Sequence, residues 1–399
     1  MAANRSAQAS VEEVFAQQIL SYELYPYFKS LFSLLSLVFS LPSVCFNAIN
    51  VFIFCKIGAT DSITVCFLHL AICDFCTMVS LSVGSFFKLL FSLGAPGSEN
   101  LSLYTFATAT VHGLFSDVGS ATTTYIALQR GLCVAWPFLT RHAFTRNRSL
   151  AVLTAITVIL WGSGMPRAVS FRFVQGPGQS NNSSQMFIIH FLQLYDSFDA
   201  LYLTFVKIIM GFTQYIVMSI CAVAISIGMR SSMKLKSAAS SAASNSCNSS
   251  SDHETLGNDE RHGEPIGQIH RVETDNNIKQ SRQIHTEKTV CTVTLTRSNK
   301  EMVKKPPQKE LLVIKQVLAV VLLQVICTTP GIIVYIYAMV EPKYQLGTEY
   351  HNLLYVVYSA VDGCHAINAF FNFFIYVQFN ARFKSCFDSM FYCGNNCAV

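Results

Sequence analysis

Long apolar stretches, separated by shorter polar segments, run through most of this chain of 399 residues. A helix needs roughly 20 mostly apolar residues to cross a bilayer. Seven windows meet that requirement, at about 30–55, 63–90, 104–136, 149–170, 198–229, 310–339 and 350–378. None has the alternating pattern of a barrel strand, and only helices or closed barrels satisfy their backbone groups in lipid. The pattern predicts an all-α membrane protein built as a seven-transmembrane helix bundle.

Composition points to the same class of protein. The chain is 51% hydrophobic and 13% charged, with 31 Phe, whereas soluble domains average about 25% charged residues. This excludes a soluble globule and makes the lipid bilayer the first expected partner. The sequence contains no phosphate-binding loop, HExxH or nucleophile-elbow motif. We therefore expect no enzyme activity, no metal site and no nucleic-acid partner.

The distribution of Lys and Arg in the short loops sets the expected orientation. Six of them fall on one side of the bilayer and four on the other, and the richer side is normally cytoplasmic. We therefore expect a multi-pass protein of the plasma membrane with an extracellular amino terminus and a cytoplasmic carboxy terminus. The N-glycosylation sequons predicted to lie outside begin at Asn4, Asn100, Asn181 and Asn182.

The windows divide the chain into five regions. These are an extracellular amino terminus (1–29), transmembrane helices 1–5 (30–229), a third cytoplasmic loop (230–309), transmembrane helices 6 and 7 (310–378), and an amphipathic helix with a cytoplasmic tail (379–399). The loop is too poor in apolar residues to fold alone, so we expect it to be disordered. Two interpretations stay open for it: a solvated linker, or a segment whose serines kinases phosphorylate and whose basic ends dock partners.

The segment after the last window alternates apolar and basic residues from Phe379 to Phe387. This pattern is typical of a short amphipathic helix that lies at the membrane surface. Cys386 and Cys393 are candidate palmitoylation sites, because lipidation beside such a helix is common. The alternative is two free cytosolic thiols.

The inner end of the third window, Ala127–Pro137, contains Arg130 at the end of a nearly uncharged run. An ionisable group at such a membrane edge is a functional candidate by default. The segment resembles the Asp/Glu-Arg-Tyr motif of rhodopsin-like (class A) G-protein-coupled receptors, including the loop proline. Gln129 and Gly131 stand in place of the flanking acid and aromatic residue of that family.

Other windows carry further motif residues of that family in the expected order. They are Asn47, the run Leu70-Ala71-Ile72-Cys73-Asp74, Trp161, the run Cys327-Thr328-Thr329-Pro330, and the run Asn372-Phe373-Phe374-Ile375-Tyr376. The likeness is to invertebrate, molluscan-type peptide and chemosensory orphan receptors. The family's disulfide from helix 3 to the second outer loop cannot form, because Thr105 occupies the helix-3 position and residues 171–197 contain no cysteine.

The resemblance implies a switch at the inner face. It assigns Arg130, Gln129, Glu310 and Tyr376 to G-protein coupling, with Arg130 and Glu310 forming an ionic lock between helices 3 and 6. The alternative for Glu310 is an acid that complements the dipole of its own helix. Tyr376 is expected to be a hydroxyl partner for Arg130 in the active state.

A polar network is expected near mid-membrane, since a carboxylate there must be solvated by other groups. It comprises Asp74 with Asn47, Asn368 and Asn372. The resemblance implies a sodium ion at Asp74, and the alternative is a protonated, hydrogen-bonded carboxyl group; no other cofactor is expected.

A hinge in helix 6 is expected at Cys327, Thr328 and Pro330, because a proline inside a helix leaves a carbonyl unpaired and kinks the helix. Helices 5 and 7 lack the family's prolines and are therefore predicted to be straighter.

The ligand pocket is expected in the outer half of the bundle. We assign His112, Ser116, Asp362 and His365 to it, with Asp117 and Lys207 as further ionisable residues of the outer halves and with aromatic walls from Tyr104, Tyr202, Phe205 and Tyr335. The alternative is a structural hydrogen bond between His112 and Asp362.

The sequence thus predicts a G-protein-coupled receptor that senses an extracellular peptide or small-molecule cue. It would activate a heterotrimeric G protein by movement of helix 6, with arrestin and kinases acting at the third cytoplasmic loop. The alternatives are a seven-helix decoy or scaffold receptor that does not couple, and a transporter, although no inverted repeat is visible.

Overall fold

The computed structural model describes residues 24–93, 101–136, 140, 143–169, 171–175, 187–191, 201–248, 308–341 and 350–392. Eight α-helices lie within these residues. They are α1 (Leu24–Ile57), α2 (Ser62–Ser92), α3 (Leu101–Ala135), α4 (Arg146–Val169), α5 (Gly211–Asn248), α6 (Gln308–Val340), α7 (His351–Phe379) and α8 (Ala381–Tyr392). A π-helical segment, Leu203–Met210, leads directly into α5. Each of the seven apolar windows overlaps one of the helices α1 to α7.

Five of these helices are long and apolar enough to cross a membrane. The qualifying stretches are Leu24–Ile57, Ser62–Ser92, Arg146–Pro166, Leu203–Ser231 and Leu311–Val340. The helices α3 and α7 are also long, at 35 and 29 residues, but they do not meet the same criterion of apolar composition over the described residues. The chain is therefore a helical protein with several apolar helices, which indicates a multi-pass membrane protein.

Helix ends follow local sequence signals. Gly58, with φ of 79°, permits the turn between α1 and α2, because this left-handed conformation has no steric cost for glycine. Asp61 then caps α2, and its Oδ1 accepts a hydrogen bond from the Thr64 backbone N–H at 2.9 Å. Asn380 separates α7 from α8 and accepts a hydrogen bond from the Phe383 backbone N–H at 3.1 Å.

A two-stranded antiparallel hairpin lies between α4 and α5, and the all-α prediction did not include it. The strands are β1 (Phe171–Gln175) and β2 (Phe187–Phe191), with Phe171 opposite Phe191 and Gln175 opposite Phe187. Both strands are rich in phenylalanine and β-branched residues, which favour strands.

The fifth helix differs from the prediction at both ends. It begins with a π-helical segment, which the prediction of a straighter helix without proline did not include. It continues to Asn248, so the first part of the predicted disordered loop 230–309 is helical. Alanine and lysine in this part favour helix. Residues 1–232 with 306–399 form one compact unit and residues 233–305 a second.

The main apolar core lies at the end of the bundle that carries α8, which we call the α8 end. An aromatic cluster anchors it: the Tyr376 ring lies 5.3 Å from Phe54, 5.4 Å from Phe67 and 5.8 Å from Phe383 between centroids. All four side chains are buried. Because these residues come from α1, α2, α7 and α8, the cluster holds α8 against the bundle.

Candidate functional site

A cleft opens between α3, the π-helical segment with the start of α5, α6 and α7. Its cavity volume is about 70 Å³, which is room for a small polar group or a few water molecules. Its polar lining comes from Ser116, Asp117, Ser120, Lys207, Gln214, Thr328, Tyr335 and His365. Of the four predicted pocket residues, Ser116 and His365 line this cleft, whereas His112 and Asp362 lie in a neighbouring cluster.

An ion pair between α3 and the π-helical segment forms one wall of the cleft. Lys207 Nζ lies 2.5 Å from Asp117 Oδ1, and the two side chains are only 16% and 15% exposed. The Tyr202 hydroxyl donates a hydrogen bond to the other Asp117 oxygen. Lys207 Nζ also lies 5.7 Å from the ring centroid of Tyr202 and 6.0 Å from that of Tyr335. The ammonium is therefore held between a carboxylate and two aromatic faces.

Two of the four predicted aromatic walls are wrong. Tyr104 is 52% exposed and Phe205 is 57% exposed, so both face away from the bundle interior. Tyr335 does line the cleft, and Tyr202 acts through its hydroxyl on Asp117. The sequence could not show which face of the fifth helix points inward, because the π-helical turns change its period.

A second ionic cluster joins α2, α3 and α7 beside the cleft. Lys88 Nζ donates to Asp362 Oδ2 at 3.1 Å, and His112 Nε2 lies 3.7 Å from Asp362 Oδ1. The His112–Asp362 hydrogen bond that was the alternative prediction is present only as this longer contact, and His112 Nδ1 lies 3.4 Å from the Thr77 carbonyl oxygen. The His365 ring lies 5.9 Å from that of His112, which connects this cluster to the cleft.

Sequence reasoning did not assign Lys88 to this cluster. It lies near the end of the second apolar window, where a charged residue inside a membrane helix is expected to have a partner. That signal could have identified it as a functional candidate. Its partner could not have been named, because Lys88 and Asp362 are far apart in the sequence.

The polar network around Asp74 is smaller than predicted. Asn372 Nδ2 donates to Asp74 Oδ2 at 2.9 Å, which joins α2 to α7. Asn47 instead donates to the Ser43 carbonyl oxygen at 3.0 Å and the Ala369 carbonyl oxygen at 3.3 Å. Asn368 donates to Gln324 Oε1 of α6 at 2.7 Å, so Gln324 is a network member that the sequence analysis missed.

Two acceptor oxygens in this region are buried without a partner. The side-chain oxygens of Asn368 and Asn372 accept no hydrogen bond from the residues that the structure describes. Gly119 of α3 faces the carboxylate, since a Cβ built there would lie 3.8 Å from Asp74 Oδ1. Water donates hydrogen bonds to buried oxygens of this kind, and a small cation takes them as ligands.

The neighbour of Arg130 takes part in a buried network at the α8 end. Gln129 Nε2 donates to Ser62 Oγ at 2.7 Å, and Ser62 Oγ lies 2.5 Å from Ser149 Oγ. The Tyr125 hydroxyl lies 2.9 Å from Ser149 Oγ. This network links α2, α3 and α4, so Gln129 is engaged with the neighbouring helices.

One member of the predicted ionic lock between Arg130 and Glu310 has a side chain outside the described ones. Glu310 is in the first turn of α6, but its side chain is not among those that the structure describes. Arg130 is partly buried. Tyr376 is fully buried in the aromatic cluster, and its hydroxyl forms no hydrogen bond within the described part of the chain.

The hinge residues lie next to the cleft. Pro330 is inside α6 and lacks the N–H that would bond the carbonyl of Ile326. Thr328 Oγ1 bonds the Gln324 carbonyl oxygen at 2.8 Å, and Cys327 is buried. Thr328 and Gly331 both line the cleft. Anything bound in the cleft would therefore contact the helix on both sides of the proline.

Cys386 is partly buried and packs against the core at the α8 end. The remaining modification candidates, Asn4, Asn100, Asn181, Asn182 and Cys393, lie outside the described residues. No protein-family model matches the chain, and no curated protein sequence matches it either.

Proposed function

We propose that this chain is a seven-helix receptor of the plasma membrane that senses an extracellular ligand and activates a heterotrimeric G protein. The ligand would be a small molecule, or the end of a peptide, that enters the cleft between α3, α5, α6 and α7. The amino terminus would lie outside and α8 inside the cell. In this proposal α3 and α7 also cross the membrane and line the interior of the bundle.

One observation carries the proposal: the cleft is lined by residues on both sides of the α6 proline. A helix is weakest where a proline removes a backbone hydrogen bond. A ligand that contacts Thr328 and Gly331 differently in two positions of α6 would shift the equilibrium between them. The movement would then reach the α8 end, where Arg130 lies.

The polar network supplies a second element of the proposed switch. Asp74 is joined to α7 through Asn372, and α7 is joined to α6 through Asn368 and Gln324. A movement of α6 relative to α7 would therefore act on the hydrogen bond between Asn368 and Gln324. We include a sodium ion or ordered water at Asp74 in the proposal, supported by the buried oxygens of Asn368 and Asn372.

The test is G-protein dissociation in cells that express the chain without ligand, measured across all Gα classes. We expect basal dissociation of at least one class, and its loss in Arg130→Ala at equal surface expression. Dissociation that is the same in Arg130→Ala would remove Arg130 from the mechanism.

A receptor that binds ligand without coupling is the other outcome of this test. It would give no dissociation from the wild type or from the activating variant Glu310→Ala, with both proteins at the cell surface.

A further inference from the structure

We propose that the groove between α5 and α6 at the α8 end binds one anionic phospholipid, whose headgroup is held by Arg230 and Lys315. The groove is lined by Ala222, Val223, Ser226, Ile227 and Arg230 of α5 and by Leu322 of α6. Its cavity volume is about 270 Å³. It is separate from the ligand cleft, with which it shares no lining residue.

The groove faces the lipid. Val223 is 59% exposed, Ile227 60% and Leu322 45%, and all three lie within helices apolar enough to cross a membrane. Among the described elements, α6 packs mainly against α3, α7 and the π-helical segment, and not closely against α5 itself. An apolar groove that opens toward hydrocarbon is filled by hydrocarbon, and an acyl chain is the occupant that the bilayer supplies.

The charge at one end of the groove selects the headgroup. Arg230 is the one charged residue in the lining, and it lies one turn beyond Ile227 toward the α8 end. Lys315 lies seven residues before Leu322 in α6, so the two share a helix face, with Lys315 on the side of the α8 end. Two cations therefore flank the same end of an apolar groove.

Both cations are accessible to a headgroup. Arg230 and Lys315 are exposed, and neither forms an ion pair within the described part of the chain. Long basic side chains at a membrane edge extend toward the headgroup region. The leaflet at the α8 end is the one that the sequence predicts to be cytoplasmic, where anionic lipids are concentrated. A phosphatidylserine headgroup carries the net negative charge that phosphatidylcholine lacks.

The test uses the purified full-length chain in detergent, with equimolar phosphatidylserine and phosphatidylcholine of identical acyl chains as probes. Native mass spectrometry counts the lipids of each kind that stay bound. We expect a preference for phosphatidylserine that falls about fivefold for each cation removed, in Arg230→Gln and in Lys315→Gln, and about 25-fold in the double variant. The matched control Arg146→Gln removes an exposed arginine outside the groove and is expected to keep the preference.

A pair of steric variants separates the groove from the charge. Val223→Trp fills the groove without changing any charge, and it should abolish the preferential binding. Ile220→Trp places the same side chain on the same helix, at a position that is 63% exposed and outside the lining, and it should have no effect.

Three results would overturn the proposal. They are a wild type that binds both lipids equally, an Arg146→Gln variant that loses as much preference as Arg230→Gln, and a Val223→Trp variant that binds phosphatidylserine normally. The last result would indicate that the basic side chains attract anions without a lipid site. Lipid binding is measured here without signalling, so the outcome does not depend on whether the chain couples to a G protein.

Discussion

Removal of Asp117 should destabilise the protein more than removal of its partner Lys207. The Asp117 carboxylate accepts from both Lys207 and Tyr202, so Asp117→Leu leaves an ammonium and a hydroxyl without their acceptor. A buried charge that loses its partner costs about 3–5 kcal/mol, and the lost hydrogen bond of the hydroxyl adds about 0.5–1.5 kcal/mol. Lys207→Met leaves the carboxylate with Tyr202 as a hydrogen-bond donor. We therefore expect this variant to lose about 3 kcal/mol of unfolding free energy, the lower end of the range for a broken buried pair.

The double variant Asp117→Leu with Lys207→Met should recover most of the loss, because replacing both members of a buried pair by apolar residues is often neutral. The assay is the free energy of unfolding in mixed detergent micelles, followed by circular dichroism. Arg382→Gln is the control: it removes an ion pair with Asp61 whose side chains are 70% and 41% exposed, and it should cost under about 1 kcal/mol. The reasoning is refuted if Asp117→Leu costs no more than Arg382→Gln, or if the double variant is as unstable as the worse single variant.

Three further predictions concern the switch and the packing. Glu310→Ala should raise ligand-free G-protein dissociation, and unchanged output at equal surface expression would remove Glu310 from the lock. Sodium chloride should raise the thermal midpoint of the wild type above its value in choline chloride, and Asp74→Asn should abolish that difference; an equal sodium effect in both proteins would place the ion elsewhere. Gly228→Ala should lower the free energy of unfolding by about 1–3 kcal/mol, because its Cβ would lie 2.3 Å from Val134 Cγ1. Gly162→Ala, where no atom lies within 4 Å of the new Cβ, should instead raise it by about 0.5–1 kcal/mol, and equal effects of the two substitutions would contradict the packing.

Hydropathy located the helices well because burial in lipid requires long apolar runs. The window 63–90, for example, corresponds to Ser62–Ser92, and 310–339 corresponds to Gln308–Val340. It placed the end of the fifth helix too early, since Gly211–Asn248 continues into a polar segment. Hydropathy reports long apolar runs, whereas this polar segment contains alanine and lysine, which favour helix. The hairpin Phe171–Gln175 with Phe187–Phe191 was missed because its strands are short.

The candidate site was predictable in its residue types but not in its pairings. The contact between Asp74 and Asn372 followed from the need to solvate a buried carboxylate. The sequence did not predict the hydrogen bond from Gln129 to Ser62 or the ion pair of Lys88 with Asp362. These pairings depend on the rotation of each helix about its axis, and periodicity alone does not fix rotation in helices that are apolar on all sides.

The most direct test of the proposed function uses purified components. The chain is reconstituted in lipid nanodiscs with one heterotrimeric G protein of each Gα class, and the rate of nucleotide exchange is measured for the wild type, Glu310→Ala and Arg130→Ala. The account predicts that the wild type accelerates exchange on at least one class, that Glu310→Ala accelerates it further and that Arg130→Ala abolishes the acceleration. Exchange at the rate of empty nanodiscs for folded wild type and Glu310→Ala, across every class, would contradict it.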